Sequence, residues 1–281
     1  MILNLDKNFN PYPDEKSITF ELFTFSGGES HIKIHSDLSL INEVTITQRV
    51  KSFNDVGEIL IAVNALRGAG VQEVNLLLPY FPGARQDRFM VKGEALTVKV
   101  YADLFNQLRL KSISIFDPHS DVTPALLNNS MVIENYTFIE KVIGKIGSNV
   151  LLVSPDGGAL KKIYKLASHL INYNVIECSK SRDVKSGKLS GFKVYADDLK
   201  GQDCLIVDDI CDGGGTFLGL AKELKLKNCG KLYLAVSHGI FSKGFRELSN
   251  HYEMIFTTNS FSDFENVECL TQINFDYGLL P

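Results

Sequence analysis

The chain has no run of lysines or arginines, and its formal net charge over 281 residues is −4. That balance gives no general electrostatic footing for a nucleic acid or an anionic membrane surface, so any anion-binding site must be local. No apolar run approaches membrane-spanning length, and the opening residues, M-I-L-N-L-D-K, lack the basic and apolar regions of a signal peptide. Cysteine is sparse. The five (Cys178, Cys204, Cys211, Cys229 and Cys269) are odd in number and carry no metal-ligand spacing, which argues against a disulfide framework and for a reducing compartment. The expectation is a cytoplasmic, globular protein whose cysteines serve as small hydrophobes. His31, His35, His169 and His251 stand in no supporting context and are expected to be structural.

What is present is concentrated in residues 204–217, C-L-I-V-D-D-I-C-D-G-G-G-T-F. The apolar run at 205–207 has strand length, and carboxylates follow at Asp208, Asp209 and Asp212, then Gly213, Gly214, Gly215 and Thr216. Phe217, Leu220, Ala221 and Leu224 then recur at helical spacing. Such a strand, glycine turn and helix start suits a phosphate, because first-turn N–H groups are unpaired and glycine lets the backbone approach an anion. Thr216 adds a hydroxyl. The carboxylates would repel a phosphate, so their partners are sugar hydroxyls or a divalent metal. A phosphorylated sugar fits both halves.

Around that stretch the pattern alternates. Strands are expected over 19–25 and 31–34, with a turn at 26–29. Asp55 with Glu58 has capping-box spacing and opens a helix whose stripe (Val56, Ile59, Leu60, Val63, Leu66) ends near Gly68 and Gly70. A strand over 74–78, a polar loop over 79–88, a helix over 95–108 and a strand over 112–116 follow, the last ending in Asp117-Pro118-His119. The second half repeats the rhythm. A strand at 150–153 runs into Ser154-Pro155-Asp156-Gly157-Gly158 and a helix to about 170, then a strand at 173–177 and an irregular loop or hairpin at 179–198. After the acidic stretch come a strand at 232–236, a short helix near 241–249 and a strand at 254–257. This predicts an α/β protein with two mainly parallel sheets flanked by helices, divided as 1–143 and 144–281, the extreme C-terminus packing back on the first domain. Arg85, His119, Asp156, Lys180 and Asp208 each follow a predicted strand, where open α/β sheets collect ligands.

In order, the segments Phe25-Ser26-Gly27-Gly28-Glu29, Pro79-Tyr80-Phe81 with Ala84-Arg85-Gln86-Asp87-Arg88, Asp117 with His119, Val153-Ser154-Pro155-Asp156, Lys180-Ser181-Arg182, residues 207–216 and Ser237-His238-Gly239 resemble the ribose-phosphate pyrophosphokinases. The resemblance covers most of the chain and implies two tandem phosphoribosyltransferase-like domains. The implied activity is transfer of the β,γ-diphosphoryl group of ATP to ribose 5-phosphate in a homo-oligomer, with Mg²⁺ as cofactor. It further implies that Asp156, Asp208, Asp209, Asp212, Gly213, Gly214, Gly215 and Thr216 hold ribose 5-phosphate. Phe25, Gly27 and Glu29 (from a neighbouring subunit), with Arg85, Gln86, Asp87 and Arg88, would hold ATP. His119 and Asp156 match magnesium-site residues, and Lys180 and Arg182 match a catalytic Lys-x-Arg on a mobile loop. Gly213 and Gly214 depart from the family pattern, which begins this turn with Thr and a small residue. Two other readings remain open at this point: a phosphoribosyltransferase that consumes phosphoribosyl pyrophosphate, and a non-catalytic regulatory homologue. Neither a nucleic acid nor a membrane is expected as a partner.

Overall fold

The computed structural model describes residues 1–171, 173–182 and 189–276, with the side chains of 181, 182, 189 and 190 outside that description. Two compact units emerge, Met1–Glu134 with Phe275–Pro281, and Asn135–Asn274.

In the first unit the elements run β1 (Ile2–Asn4), β2 (Phe20–Thr24), β3 (Ser30–Ile34), β4 (Glu43–Thr47), α1 (Phe53–Gly68), β5 (Glu73–Leu78), α2 (Thr97–Gln107), β6 (Ser112–Phe116), α3 (Val122–Leu126) and β7 (Ser130–Ile133). The sheet order is β1-β4-β5-β6-β7 with every neighbouring pair parallel. Alternate residues such as Val44, Ile46, Val74 and Leu76 are buried, and α1 covers them with Val56, Ile59, Ala62, Val63 and Leu66. The cap of α1 differs from expectation. Ser52 is the N-cap, and its backbone N–H donates to the Asp55 carboxylate at 2.7 Å, while Glu58 accepts from Asn54 at 2.8 Å. The box therefore begins three residues earlier, because Ser52 has the extended backbone a cap needs. Strands β2 and β3 form a separate antiparallel hairpin. Phe275 also belongs to this unit, its ring 4.9 Å from that of Phe116 and 6.1 Å from that of Phe9.

The second unit runs α4 (Tyr136–Ile146), β8 (Val150–Val153), α5 (Leu160–Leu170), β9 (Val175–Ile176), β10 (Cys178–Arg182), β11 (Leu189–Val194), β12 (Asp203–Cys211), α6 (Gly215–Leu226), β13 (Leu232–Gly239), α7 (Arg246–Ser249), β14 (Met254–Thr258) and β15 (Leu270–Ile273). The division thus precedes α4, whereas the sequence pattern places it at 143/144 inside that helix. Packing explains the difference: α4 lies against α5 and β13 and buries Phe138, Ile139 and Val142. The all-parallel sheet has the order β15-β14-β13-β12-β8-β9. From β8 the chain moves outward to β9, and from β12 it moves outward the other way. The order therefore reverses between β8 and β12, the crevice where open α/β sheets bind ligands.

Three local expectations change here. Strand β12 continues past Val207, because Asp208, Ile210 and Cys211 still pair with Val236, His238 and Gly239. Asp208 and Asp209 therefore lie on the strand. Lys180 likewise sits within β10, which pairs with β11 as an antiparallel hairpin, so the hairpin form of the 179–198 expectation holds for the described part. The strand at 173–177 shortens to Val175–Ile176, and the helix expected near 241–249 forms only over Arg246–Ser249.

Candidate active site

In the second unit the acidic stretch and the glycine turn meet at the carboxyl end of β12. Burial pushes the Asp208 carboxyl well above the ordinary carboxylate range, and the charges of Asp209 and Asp156 add to that shift. Asp209 is itself buried, and its backbone N–H donates to Asp208 Oδ1 at 2.9 Å. Gly214 then takes φ +75° and starts α6, and no side chain caps that helix. Among the described residues its first-turn N–H groups have no side-chain acceptor, the arrangement that binds phosphate oxygens. A side chain at Gly214 would need a left-handed backbone and would place a Cβ 3.3 Å from Leu248 Cδ2. Gly214→Ala should therefore lower stability by about 1–2 kcal/mol, measurable as a shift of the denaturant midpoint; no shift would mean that the turn relaxes freely.

Lys180 reaches this turn from β10. Its ammonium forms an ion pair with Asp156 Oδ2 at 2.7 Å and donates to Thr216 Oγ1 at 3.2 Å. Asp156 follows β8, and its other oxygen accepts from the N–H groups of Gly158 at 2.8 Å and Ala159 at 3.1 Å. Burial works to raise the Asp156 pKa, but the hydrogen bond and charge of Lys180 and those two N–H donors outweigh it, so the carboxyl is held below its usual range. Two neighbouring aspartates are thus driven in opposite directions. The structure brings together Asp156, Lys180, Asp208, Asp209 and Thr216. Arg182 ends β10 with its side chain outside the described residues.

Asp212 is held differently. Its Oδ1 accepts from Ser242 Oγ at 2.6 Å and its carbonyl from the Ser242 N–H at 3.2 Å, which ties the turn to the segment after β13. That segment lies far along the chain, and no motif in it signalled the contact. The Ser237-His238-Gly239 motif lies inside the sheet: His238 Nδ1 is 2.7 Å from Ser260 Oγ, and Ser260 Oγ donates to the Ser237 carbonyl at 3.0 Å. It braces the carboxyl ends of β13 and β14. The cysteines are free, and burial pushes the Cys178, Cys204 and Cys211 thiols up to about 12, as suits small core residues.

In the first unit the β2–β3 turn presents Phe25, 54% exposed, with its ring edge-on to Phe23 at 5.1 Å and 5.8 Å from His31. Gly27 lies against the Glu29 carboxylate, and a Cβ there would oblige that exposed side chain to swing aside. In the loop after β5, Arg85, Gln86 and Arg88 are exposed whereas Asp87 is buried. Both Asp87 oxygens accept from Arg88, at 2.7 and 3.0 Å, and this fork is the main reason the Asp87 carboxyl lies below its usual range; Ser120 and His119 contribute. Asp87 therefore joins the loop to the end of β6. There Asp117 is buried with φ +39°, a backbone strain of the kind that collects at functional sites, and His119 is exposed beyond it.

A cavity of about 550 Å³ lined by Phe105, Arg109, Ile113 and Asn129 opens at the amino ends of β6 and β7, the opposite end from these residues. Among the described residues no three His, Cys, Asp or Glu side chains are grouped to cage a metal, and no helix is long and apolar enough to cross a membrane.

A model of the N-terminal domain of ribose phosphate pyrophosphokinase matches residues 8–108, and a phosphoribosyl transferase domain model matches residues 125–270. The chain belongs to the ribose-phosphate pyrophosphokinase family. A ribose-phosphate pyrophosphokinase of Mycoplasmopsis pulmonis is 30% identical over 75% of this chain and 67% of its own length. Those of Mycoplasma pneumoniae (27% identical; 87% of this chain, 77% of that one) and Thermococcus kodakarensis (28%; 87% and 86%) match over longer spans. The fold follows that of phosphoribosylpyrophosphate synthetase from Mycobacterium smegmatis, with a TM-score of 0.82 at 21% identity over 98% of this chain and 94% of that one. Like other ribose-phosphate pyrophosphokinase folds, this one has two phosphoribosyltransferase-like domains, each a mainly parallel sheet flanked by helices.

Proposed function

We propose that the chain is a ribose-phosphate diphosphokinase that transfers the β,γ-diphosphoryl group of ATP to O1 of ribose 5-phosphate, giving phosphoribosyl pyrophosphate and AMP. The observation that carries this reading is the acidic strand end of β12 running directly into the Gly213–Thr216 turn at the reversal of strand order, with Lys180 held on it. The turn and the α6 N-terminus would take the sugar phosphate, and Asp208, Asp209 and Asp212 the sugar hydroxyls. Arg85, Gln86, Asp87 and Arg88 would serve ATP, with Asp87 acting through Arg88. Phe25, Gly27 and Glu29 would meet the adenine of a neighbouring subunit in a homo-oligomer; an aromatic side chain left exposed at a hairpin tip supports that role.

Transfer of a diphosphoryl group needs two oxygens held in line and cations against the developing charge. Lys180 and Arg182 would supply protein cations. The residues proposed for Mg²⁺ are His119 and Asp156. The Asp156 carboxylate fits the ion, because Mg²⁺ prefers oxygen, keeps several waters and rides on substrate phosphates rather than in an all-protein cage, and the His119 imidazole would act through a water. The crowding that drives Asp208 upward is also what a divalent cation relieves. When bound, Mg²⁺ would neutralise phosphoryl oxygens. A transferase that consumes phosphoribosyl pyrophosphate fits less well, because the match over residues 8–108 is to a pyrophosphokinase N-terminal domain. We take the enzyme to work in the cytoplasm.

With Mg²⁺, ATP and ribose 5-phosphate the purified protein should form AMP and phosphoribosyl pyrophosphate in equal amounts. AMP no higher than in a control without sugar would overturn the reading.

A further inference from the structure

The segment after β13 is fastened to the glycine turn by its own backbone. The N–H groups of Ile240 and Phe241 donate to the Cys211 carbonyl at 2.9 and 3.0 Å, and Ser242 adds its two bonds to Asp212. The Gly244 N–H closes a turn on the Phe241 carbonyl at 2.8 Å, with Phe241 at φ +47° and Gly244 at φ +70°. Lys243 stands at the tip of that turn and is exposed. Its aliphatic stem crosses the face of Gly213: a Cβ built at 213 would lie 3.5 Å from Lys243 Cε and 3.6 Å from Cδ. The stem thus lies over the place that a side chain at 213 would fill, and the ammonium lies one bond beyond Cε. Lys243 forms no hydrogen bond or ion pair among the described residues, whereas Lys180 is engaged by Asp156 and Thr216.

Resting on the proposed acceptor site, we infer that Lys243 is a substrate-binding residue for ribose 5-phosphate, its ammonium contacting the 5-phosphate beside the glycine turn. The physical need is plain. A sugar phosphate enters a turn next to Asp208, Asp209 and Asp212, and the helix N-terminus supplies only partial positive charge. A full cation on a pinned turn offsets that repulsion, and a compact ammonium is a point charge suited to a phosphate oxygen. A Cβ at 213 would only touch the stem at ordinary van der Waals distance, so the stem packs directly against the turn.

The test is calorimetric titration of ribose 5-phosphate into the whole protein, with steady-state kinetics on the same preparations. Lys243→Ala should weaken ribose 5-phosphate binding about tenfold, as expected for loss of one charge-assisted hydrogen bond. The KM for the sugar should rise in parallel, while kcat and the KM for ATP stay within about twofold. Lys243→Arg should restore most of the affinity and Lys243→Glu should lose more than the alanine variant. A Lys243→Ala protein that binds ribose 5-phosphate as tightly as wild type overturns the inference. If wild type forms AMP normally in that case, the proposed reaction stands without Lys243. If instead wild type forms no sugar-dependent AMP but still loses affinity on Lys243→Ala, the binding role stands and the reaction fails. Absence of any ribose 5-phosphate binding by wild type overturns both.

Discussion

Lys180→Ala should lower kcat by about 10²–10³-fold, the usual cost of removing one preorganised donor aimed at developing charge, while the KM for ribose 5-phosphate changes little. The split follows from where the ammonium rests. In the structure it is held by Asp156 at 2.7 Å and Thr216 at 3.2 Å, so its ground-state partners are protein groups. A contact formed with phosphoryl oxygens only as charge develops affects turnover and leaves ground-state sugar binding nearly unchanged. The substitution also removes the main hydrogen bond that holds the Asp156 carboxyl low. The acid limb of the pH–rate profile should therefore move to higher pH for whatever activity remains. Rapid-quench measurement of AMP with varied sugar checks both. Parallel losses in kcat and sugar affinity would place Lys180 in ground-state binding instead.

Asp208→Asn should lower kcat/KM for ribose 5-phosphate about a hundredfold, the scale of one or two charged hydrogen bonds, and yet make the protein more stable at neutral pH. Burial, then Asp209 and Asp156, raise the Asp208 pKa in the folded protein above the 3.8 of an ordinary aspartate. The folded state therefore holds that proton more tightly than the unfolded chain. Below 3.8 the carboxyl is neutral in both states and costs nothing. As pH rises from there the folded protein is progressively penalised, until the full penalty is reached above the raised pKa. Asparagine carries no such charge. The stability gain of Asp208→Asn should be largest at neutral to alkaline pH and shrink as the pH falls toward the ordinary aspartate range. Thermal unfolding of both proteins across pH, without Mg²⁺, measures it. A variant less stable than wild type at neutral pH would mean that the carboxylate supports the β12 end structurally. Such a gain paired with lost activity is the expected signature of a strained functional group.

Residues 204–226 show which features the sequence alone determined. Apolar runs, acidic residues, glycines and helical spacing follow one another so closely that the strand, turn and helix could form only in that order, and β12 and α6 do. The same holds for β8, apolar and buried throughout, and for β6, where Ser112, Ile113, Ser114 and Ile115 alternate at strand period. Ser52 shows the limit of local reading: the Asp55–Glu58 spacing pointed to a box opening at 55, and the extended backbone at 52 set it three residues earlier. Only the tertiary structure decided the rest. Strand β12 extends through Asp208 and Asp209 because β13 is there to pair with it, and a ladder partner is invisible to periodicity. The unit boundary fell before α4 because of what that helix packs against. Asp156, Lys180 and Thr216 lie 24 and 36 residues apart in sequence and meet within hydrogen-bonding distance, as do Asp212 and Ser242, 30 residues apart. Local chemistry thus identified the groups suited to a phosphorylated sugar. Which of them touch, and that Lys243 lies over Gly213, depend on strand order, which short-range pattern does not encode.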